Sequence, residues 1–321
     1  MNLLKYLFSI NDTTFRKEYR IFGIKIAIAK PEFSKKRKES PYYNYKKNNI
    51  DITTLPPASG QIRDIQLANL ALLKEFDYVC KKAGLKYWLD GGTLLGAVRH
   101  KGFIPWDDDI DVAMLREDYD KIIEAFVKHS RNSDIYANYF RDVEHPYFYF
   151  IKVQHKKCPF LFVDIFPWDS YGKRLTVEEQ LLKSKNIIRI LEKELVKKVD
   201  LSTSDEDLHN KIQYLIKSKI LDNNGYDQQG DYVWGADFKH QWKNWFTHYE
   251  VLHPLKTIEF EGSKFPCLNN PEAFLTRLYG DYMKYPEKIS MGHSMYLELS
   301  GTEKEIINDL ILSYKSIGEG V

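Results

Sequence analysis

The chain is poor in several features that would assign it to common classes. It has 3 cysteines among 321 residues (Cys80, Cys158 and Cys267). None is spaced as in a zinc site, and an odd count does not complete a disulfide framework. A reducing compartment fits. There is no run of about 18 apolar residues, so the sequence offers no transmembrane helix. Residues 1–10 carry Lys5 inside a short apolar stretch and lack a small-residue cleavage site, which does not read as a signal peptide. The net charge is only +2, without the basic excess of a nucleic-acid-binding chain. No internal repeat and no long low-complexity segment occurs.

The charge that is present is uneven. Residues 1–48 hold 12 of the 47 Lys+Arg but only 4 of the 45 Asp+Glu. Residues 1–30 mix Leu3, Leu4, Tyr6, Leu7, Phe8 and the apolar stretch 21–28 with Arg16, Lys17 and Arg20. Two readings fit equally. One is a peripheral foot on an anionic membrane, through residues 1–48. The other is a strand-and-turn appendage packed on the body or on a partner. Residues 31–54 are polar and basic and read as a linker. The expected division is an appendage and linker over 1–54, then a body over 55–321.

The body has an ordinary globular composition and enough length to bury a core. From Gln61, the residues Ile62, Ile65, Leu67, Leu70, Leu73, Phe76, Val79 and Cys80 mark a helical apolar face ending near Gly84. Short strands are predicted at 85–90 and 110–115, with a helical turn at 93–100 between them. A helix at 118–129 follows, then strands at 147–153 and 160–166. Lys- and Glu-rich amphipathic helices are predicted at 176–199 and 205–221, with shorter ones at 271–279 and 303–317. The aromatic stretch 232–260, with Trp234, Trp242, Trp245 and Phe246, is mixed. This order predicts an α/β (α+β) fold, a small mixed sheet with helices against it and a helical insertion at about 176–221.

The chemistry concentrates between Asp90 and Asp111. Gly91 and Gly92 follow a strand and open a helix, where a phosphate can approach the backbone and meet free N–H groups. Thr93 would cap that helix and add a hydroxyl. The sequence from Trp106 to Val112 then places four carboxylates within five residues, among apolar neighbours. On a strand, Asp109 and Asp111 project to one face while Ile110 and Val112 enter the core. Such a pair asks for a cation, and Mg2+ favours a few carboxylates plus phosphate oxygens. Asp107 would share this face only if the strand extends back, and Asp108 would point away. Arg99, His100 and Lys101 lie between glycines and acids, suited to a diphosphate or to an exposed loop. Asp164, alone in the apolar stretch 160–166, is the candidate third carboxylate. Asp169, past Pro167, reads as a loop acid or cap. Lys152 is either a phosphate partner or an edge-strand lysine.

These residues carry a resemblance. The stretch from Asp90 to Val112 is similar to the signature of the LicD family, which includes bacterial phosphocholine transferases and is related to fukutin-type ribitol-phosphate transferases. The similarity continues at 163–167, 260–266, 279–283 and Pro286, covering about 61–293. It implies a nucleotidyltransferase-like fold and transfer of a phosphorylated alcohol, with CDP-choline the leading donor among CDP-alcohols. The acceptor would be a sugar hydroxyl of a bacterial cell-surface glycan (lipopolysaccharide, capsule or teichoic acid). It implies Mg2+ (or Mn2+) at Asp109, Asp111 and Asp164, and a cytoplasmic protein, peripheral to the inner face of the membrane if 1–48 is a foot. The block from Tyr279 to Met283 is expected near the cleft, with no role assigned. One departure is His155, where family members often carry an acid. In the implied in-line displacement, Gly91, Gly92 and Thr93 would hold phosphate oxygens, Arg99, Lys101 or Lys152 would offset their charge, and Asp164 or Asp108 would accept the proton. The rival readings are a nucleotidyltransferase, a sugar transferase with an acidic D-x-D pair, and a nucleotide-binding scaffold without activity.

Overall fold

The computed structural model describes residues 41–143, 145–221, 229–238, 246–289, 292, 294 and 297–315, with the backbone of 8–12, 16–21 and 24–29. Strands β1 (Phe8–Asp12), β2 (Arg16–Ile21) and β3 (Ile24–Ala29) form an antiparallel three-stranded sheet. Trp242 and Trp245 lie outside the described residues.

The expected linker is shorter than the sequence suggested. Helix α1 (Pro41–Lys47) and a single turn at Ile52–Thr54 belong to the body. Tyr42, Ile52 and Leu55 are buried in the main core. The Tyr42 hydroxyl donates to the Pro105 carbonyl at 2.8 Å, and its ring packs edge-on to Trp106. A few aromatic and aliphatic anchors suffice to bury a stretch whose average composition is polar.

Helix α2 (Gln61–Ala83) follows its apolar spacing and ends where Gly84 adopts a left-handed conformation. Next come β4 (Trp88–Leu89), α3 (Gly91–His100) and β5 (Asp111–Leu115). The single helix expected at 118–129 is two, α4 (Arg116–Tyr119) and α5 (Ile122–His129). Between them the Lys121 N–H turns back to the Asp118 carbonyl. Tyr119 is drawn into the core, where its hydroxyl accepts from the Ile151 N–H at 2.9 Å.

Strands β6 (Ile135–Arg141), β7 (Tyr149–His155) and β8 (Cys158–Ser170) complete the main sheet with β9 (Tyr232–Trp234) and β10 (Phe246–Thr247). Strand β8 is its spine. One edge pairs parallel with β5, which pairs antiparallel with β4. The other edge pairs with β7 and then, after Pro167, with β9. Proline lacks an N–H, and it falls where β8 changes partner, so the strand runs through it. Asp169 is therefore a strand residue and not the loop acid expected. The sheet is mixed and helices cover it, as an α+β fold requires.

A second apolar cluster forms around α6 (Val177–Leu191) and α7 (Asp205–Leu215), including Ile187, Leu191, Leu208 and Ile212. Thr176 and Glu179 close a reciprocal capping box on α6, and Ser204 caps α7. The short helix α8 (Tyr249–Leu252) and the hairpin of β11 (Lys256–Phe260) and β12 (Ser263–Cys267) precede α9 (Pro271–Tyr279) and α10 (Gly301–Lys315). Among the described residues, no helix is long and apolar enough to cross a membrane.

Candidate active site

The site forms where β4, α3, β5 and β8 converge. Asp111 opens β5 and is aligned with Asp164 on β8. Aligned residues of neighbouring strands share a face, so the two carboxylates project together. The link tightens just before them, where the Asp164 N–H donates to the Ile110 carbonyl at 2.8 Å.

The glycine pair serves these acids directly. Gly91 has φ +49, and a Cβ there would sit 2.6 Å from Asp111 Oδ2. A Cβ on Gly92 would sit 2.9 Å from Asp107 Oδ2. The Gly92 N–H donates to Asp111 Oδ2 at 3.3 Å. Glycine here lets two carboxylates approach the helix N-terminus, a favourable place for negative charge. Thr93 does not cap the helix. Its hydroxyl accepts from the Asp111 N–H at 2.8 Å, because the residue ahead of the helix is Asp90.

Asp107, Asp109, Asp111 and Asp164 crowd this corner. Burial raises Asp107 well above the ordinary range, with Asp109, Asp111 and Asp108 adding repulsion. Burial likewise raises Asp111, with Asp109, Asp164 and Asp90 adding to it. Asp90, behind them, is pushed up to about 6 by burial, although the Gly91 N–H and the Trp168 and Trp234 indoles favour its charge. Hard oxygen donors that repel one another in a buried corner fit a divalent cation. Among the described residues, no three acid, histidine or cysteine side chains are closed around one point at ligand spacing. The carboxylates are neighbours, not a finished cage. Asp109 precedes β5, so the alternation that paired it with Asp111 does not reach it.

Asp108 points elsewhere. It accepts from the Ser294 N–H at 2.7 Å and from the Ser294 hydroxyl, and Gly292 makes room for it. This places it in a loop lock, away from a proton-accepting role. Lys152 is aligned with Asp164 and bonds it at 2.8 Å, with its ammonium 3.8 Å from the Phe162 ring centre. Arg99 is buried and donates to the Tyr282 carbonyl at 2.5 Å. Burial lowers it to about 10, and burial with Arg99 alongside lowers His100 to about 4. Lys101 is exposed in the loop beyond. His155 is buried three residues past Lys152, and burial lowers it. At the far end of β5, Arg116 binds Asp169 and Asp237 at 2.8 and 3.0 Å. Burial opposes its charge, but the two carboxylates raise it well above the ordinary value.

Sequence reasoning left Tyr279 without a role. It ends α9 and feels Asp111, Asp90, Asp107 and Asp109. It is 40% exposed. The turn after it lies over the acidic loop: Tyr285 stacks on Trp106, and the Gly292 N–H donates to the Trp106 carbonyl.

The corner is a crowded acid cluster beside a helix N-terminus, and relatedness to known proteins narrows its class. Residues 84–205 match the family model described as LicD/FKTN/FKRP, nucleotidyltransferase domain. The chain is 31% identical over 250 residues to lipopolysaccharide cholinephosphotransferase LicD of Haemophilus influenzae, covering 70% of this chain and 92% of that protein. It is 55% identical over 40 residues to human ribitol 5-phosphate transferase FKRP, 12% of this chain and 8% of that one. An uncharacterized Rickettsia prowazekii protein is 51% identical over 47 residues, 15% of this chain and 18% of that one. The chain belongs to the LicD family.

Proposed function

We propose that this protein transfers a phosphorylated alcohol, phosphocholine first among them, from a CDP-activated donor to a sugar hydroxyl of a bacterial surface glycan. The observation that carries this reading is the similarity along nearly the whole of the lipopolysaccharide cholinephosphotransferase LicD. Buried Asp90 and half-buried Asp107, Asp111 and Asp164 all fall within 84–205, the part that matches the family.

Asp109, Asp111 and Asp164, with Asp107 beside them, would hold Mg2+ or Mn2+. A bound divalent ion would neutralise charge on the donor diphosphate and on the departing CMP. The chain's own residues prepare this. The Gly92 N–H and Thr93 hydroxyl fix the side chain and backbone of Asp111. Lys152 orients Asp164. The Asp108–Ser294 lock holds the acidic loop in place, so that the acids face the substrate with little reorganisation.

The test is incubation of the full chain with glycan acceptor, Mg2+ and a panel of CDP-alcohols labelled at the headgroup phosphate. Label should enter the glycan, detected by mass spectrometry. Label released as the free phosphorylated alcohol, with CMP attached to the acceptor, would overturn the reading and favour transfer of the nucleotide itself.

A further inference from the structure

One face of the main sheet leads straight to the acids. Three strand registers line up a row across four strands. Asn138 of β6 is aligned with Lys152 of β7, Lys152 with Asp164 of β8, and Asp164 with Asp111 of β5. Aligned residues share a face, and neighbouring strands lie about 4.8 Å apart, so the row spans roughly 14 Å. This face is partly open. Along β8, Leu161, Val163 and Ile165 are buried, whereas Phe162, Asp164 and Phe166 are half-buried. On β6, Asn138 and Phe140 are half-buried too.

The row is polar and its flanks are aromatic. The Lys152 ammonium bonds Asp164 at 2.8 Å. It stands 3.8 Å from the ring centre of Phe162, 4.6 Å from that of Phe140 and 5.2 Å from that of Phe150. At the end of the row away from Asp111, Asn138 Oδ1 is enclosed and accepts no hydrogen bond among the described residues. An enclosed acceptor without a donor is costly and calls for one.

These features select an occupant. A cationic group does not fit, because Lys152 already brings a positive charge to the three rings and a second would be repelled. A neutral sugar ring fits. Its apolar C–H face suits the half-buried rings of Phe140 and Phe162, and a hydroxyl supplies the donor that Asn138 Oδ1 lacks. The row then delivers the sugar to Asp164 and Asp111, where its reacting hydroxyl has to be.

We infer that the open face of β6–β8 is the subsite for the acceptor sugar, with Asn138, Phe140 and Phe162 as its contacts. This rests on the transferase reading above and adds an acceptor-binding surface to it. The glycine turn and the acids serve the donor, and this face serves the sugar.

The test is Asn138→Leu and Phe162→Leu in the full chain, with Phe162→Tyr as the variant that keeps the ring. Transfer from CDP-choline in Mg2+ is measured against lipid-free lipopolysaccharide oligosaccharide, and CDP-choline binding is measured by calorimetry. Both leucine variants should raise the oligosaccharide KM about tenfold, as for a lost sugar contact. Their kcat and donor Kd should stay within about twofold of wild type, the pattern of a binding contact equal in ground and transition states. Phe162→Tyr should keep the wild-type KM. An unchanged KM in both leucine variants overturns the inference and leaves the transferase reading intact. So does a raised donor Kd, which would give the face to the donor, or a joint fall of kcat and Tm, which would mark a structural role. If the wild-type chain transfers label from no CDP-alcohol, the transferase reading fails and the inference falls with it.

Discussion

Asp111 stands beside Asp164 across the parallel β5–β8 pair, so two carboxylates from distant parts of the chain share one face. Their separate replacement by Asn should each lower transfer by about 100-fold or more, on the scale of lost transition-state electrostatics. Because Asn at 111 removes a repelling charge without changing shape, metal-free Asp111→Asn should melt no lower than wild type, whereas Asp164→Asn, which takes the partner from buried Lys152, should melt lower. Transfer rates and calorimetric Mg2+ titrations check both halves. A variant that keeps full activity would remove the acid pair from the mechanism.

The raised acids make stability pH-dependent. Asp90 has a folded-state value of about 6 against an ordinary 3.8. The folded chain thus holds this proton more tightly than the unfolded chain. Its contribution is fully present below about pH 4 and is lost as pH rises through about 6, by about 3 kcal/mol. Asp107 and Asp111, raised further, should extend the decline. Denaturant melts in EDTA across this range, compared with Asp90→Asn, test it. Added Mg2+ should raise Tm more at pH 7.5 than at pH 5.

Gly91 and Gly84 both have left-handed backbones but different surroundings. Alanine at either should cost about 1–2 kcal/mol in backbone strain. Only Gly91→Ala pushes against Asp111, so only this variant should also lose activity beyond its loss of fold. Equal transfer by both variants, normalised to folded protein, would show that the close approach is unimportant.

Arg116 neutralises two buried acids. Arg116→Met should lower stability by about 3–5 kcal/mol by leaving Asp169 and Asp237 uncompensated. Adding Asp169→Asn and Asp237→Asn to the same chain should recover much of that loss, read from chemical denaturation.

Local periodicity made much of this legible. The apolar spacing from Ile65 to Cys80 and the left-handed Gly84 delimit α2, and Asn270 with Pro271 delimit α9. Asp164 stood out because an acid in an apolar strand needs a reason, and the structure pairs it with Lys152 and aligns it with Asp111. Long-range contact escaped detection. In β6, half-buried Tyr136, Asn138 and Tyr139 blur the alternation that marks a strand. Tyr42 looks like linker until Pro105 and Trp106 supply its contacts. The glycine pair announces close approach, but not that carboxylates are what approach. Thr93 sits where caps occur, and only the arrival of β5 turns its hydroxyl to Asp111.

The alignment of Asp111 with Asp164 also bears on how the molecule opens. The two acids belong to strands separated in sequence by α4, α5 and the β6–β7 hairpin, and they meet only when that whole segment has folded back on itself. A cation held by both would act as a reversible clip across a long loop, and clips on long loops restrict the unfolded chain most. Loading the site would therefore slow the parting of β5 from β8 and leave the remote α6–α7 cluster unaffected. In hydrogen exchange, protection would spread outward from this one strand pair.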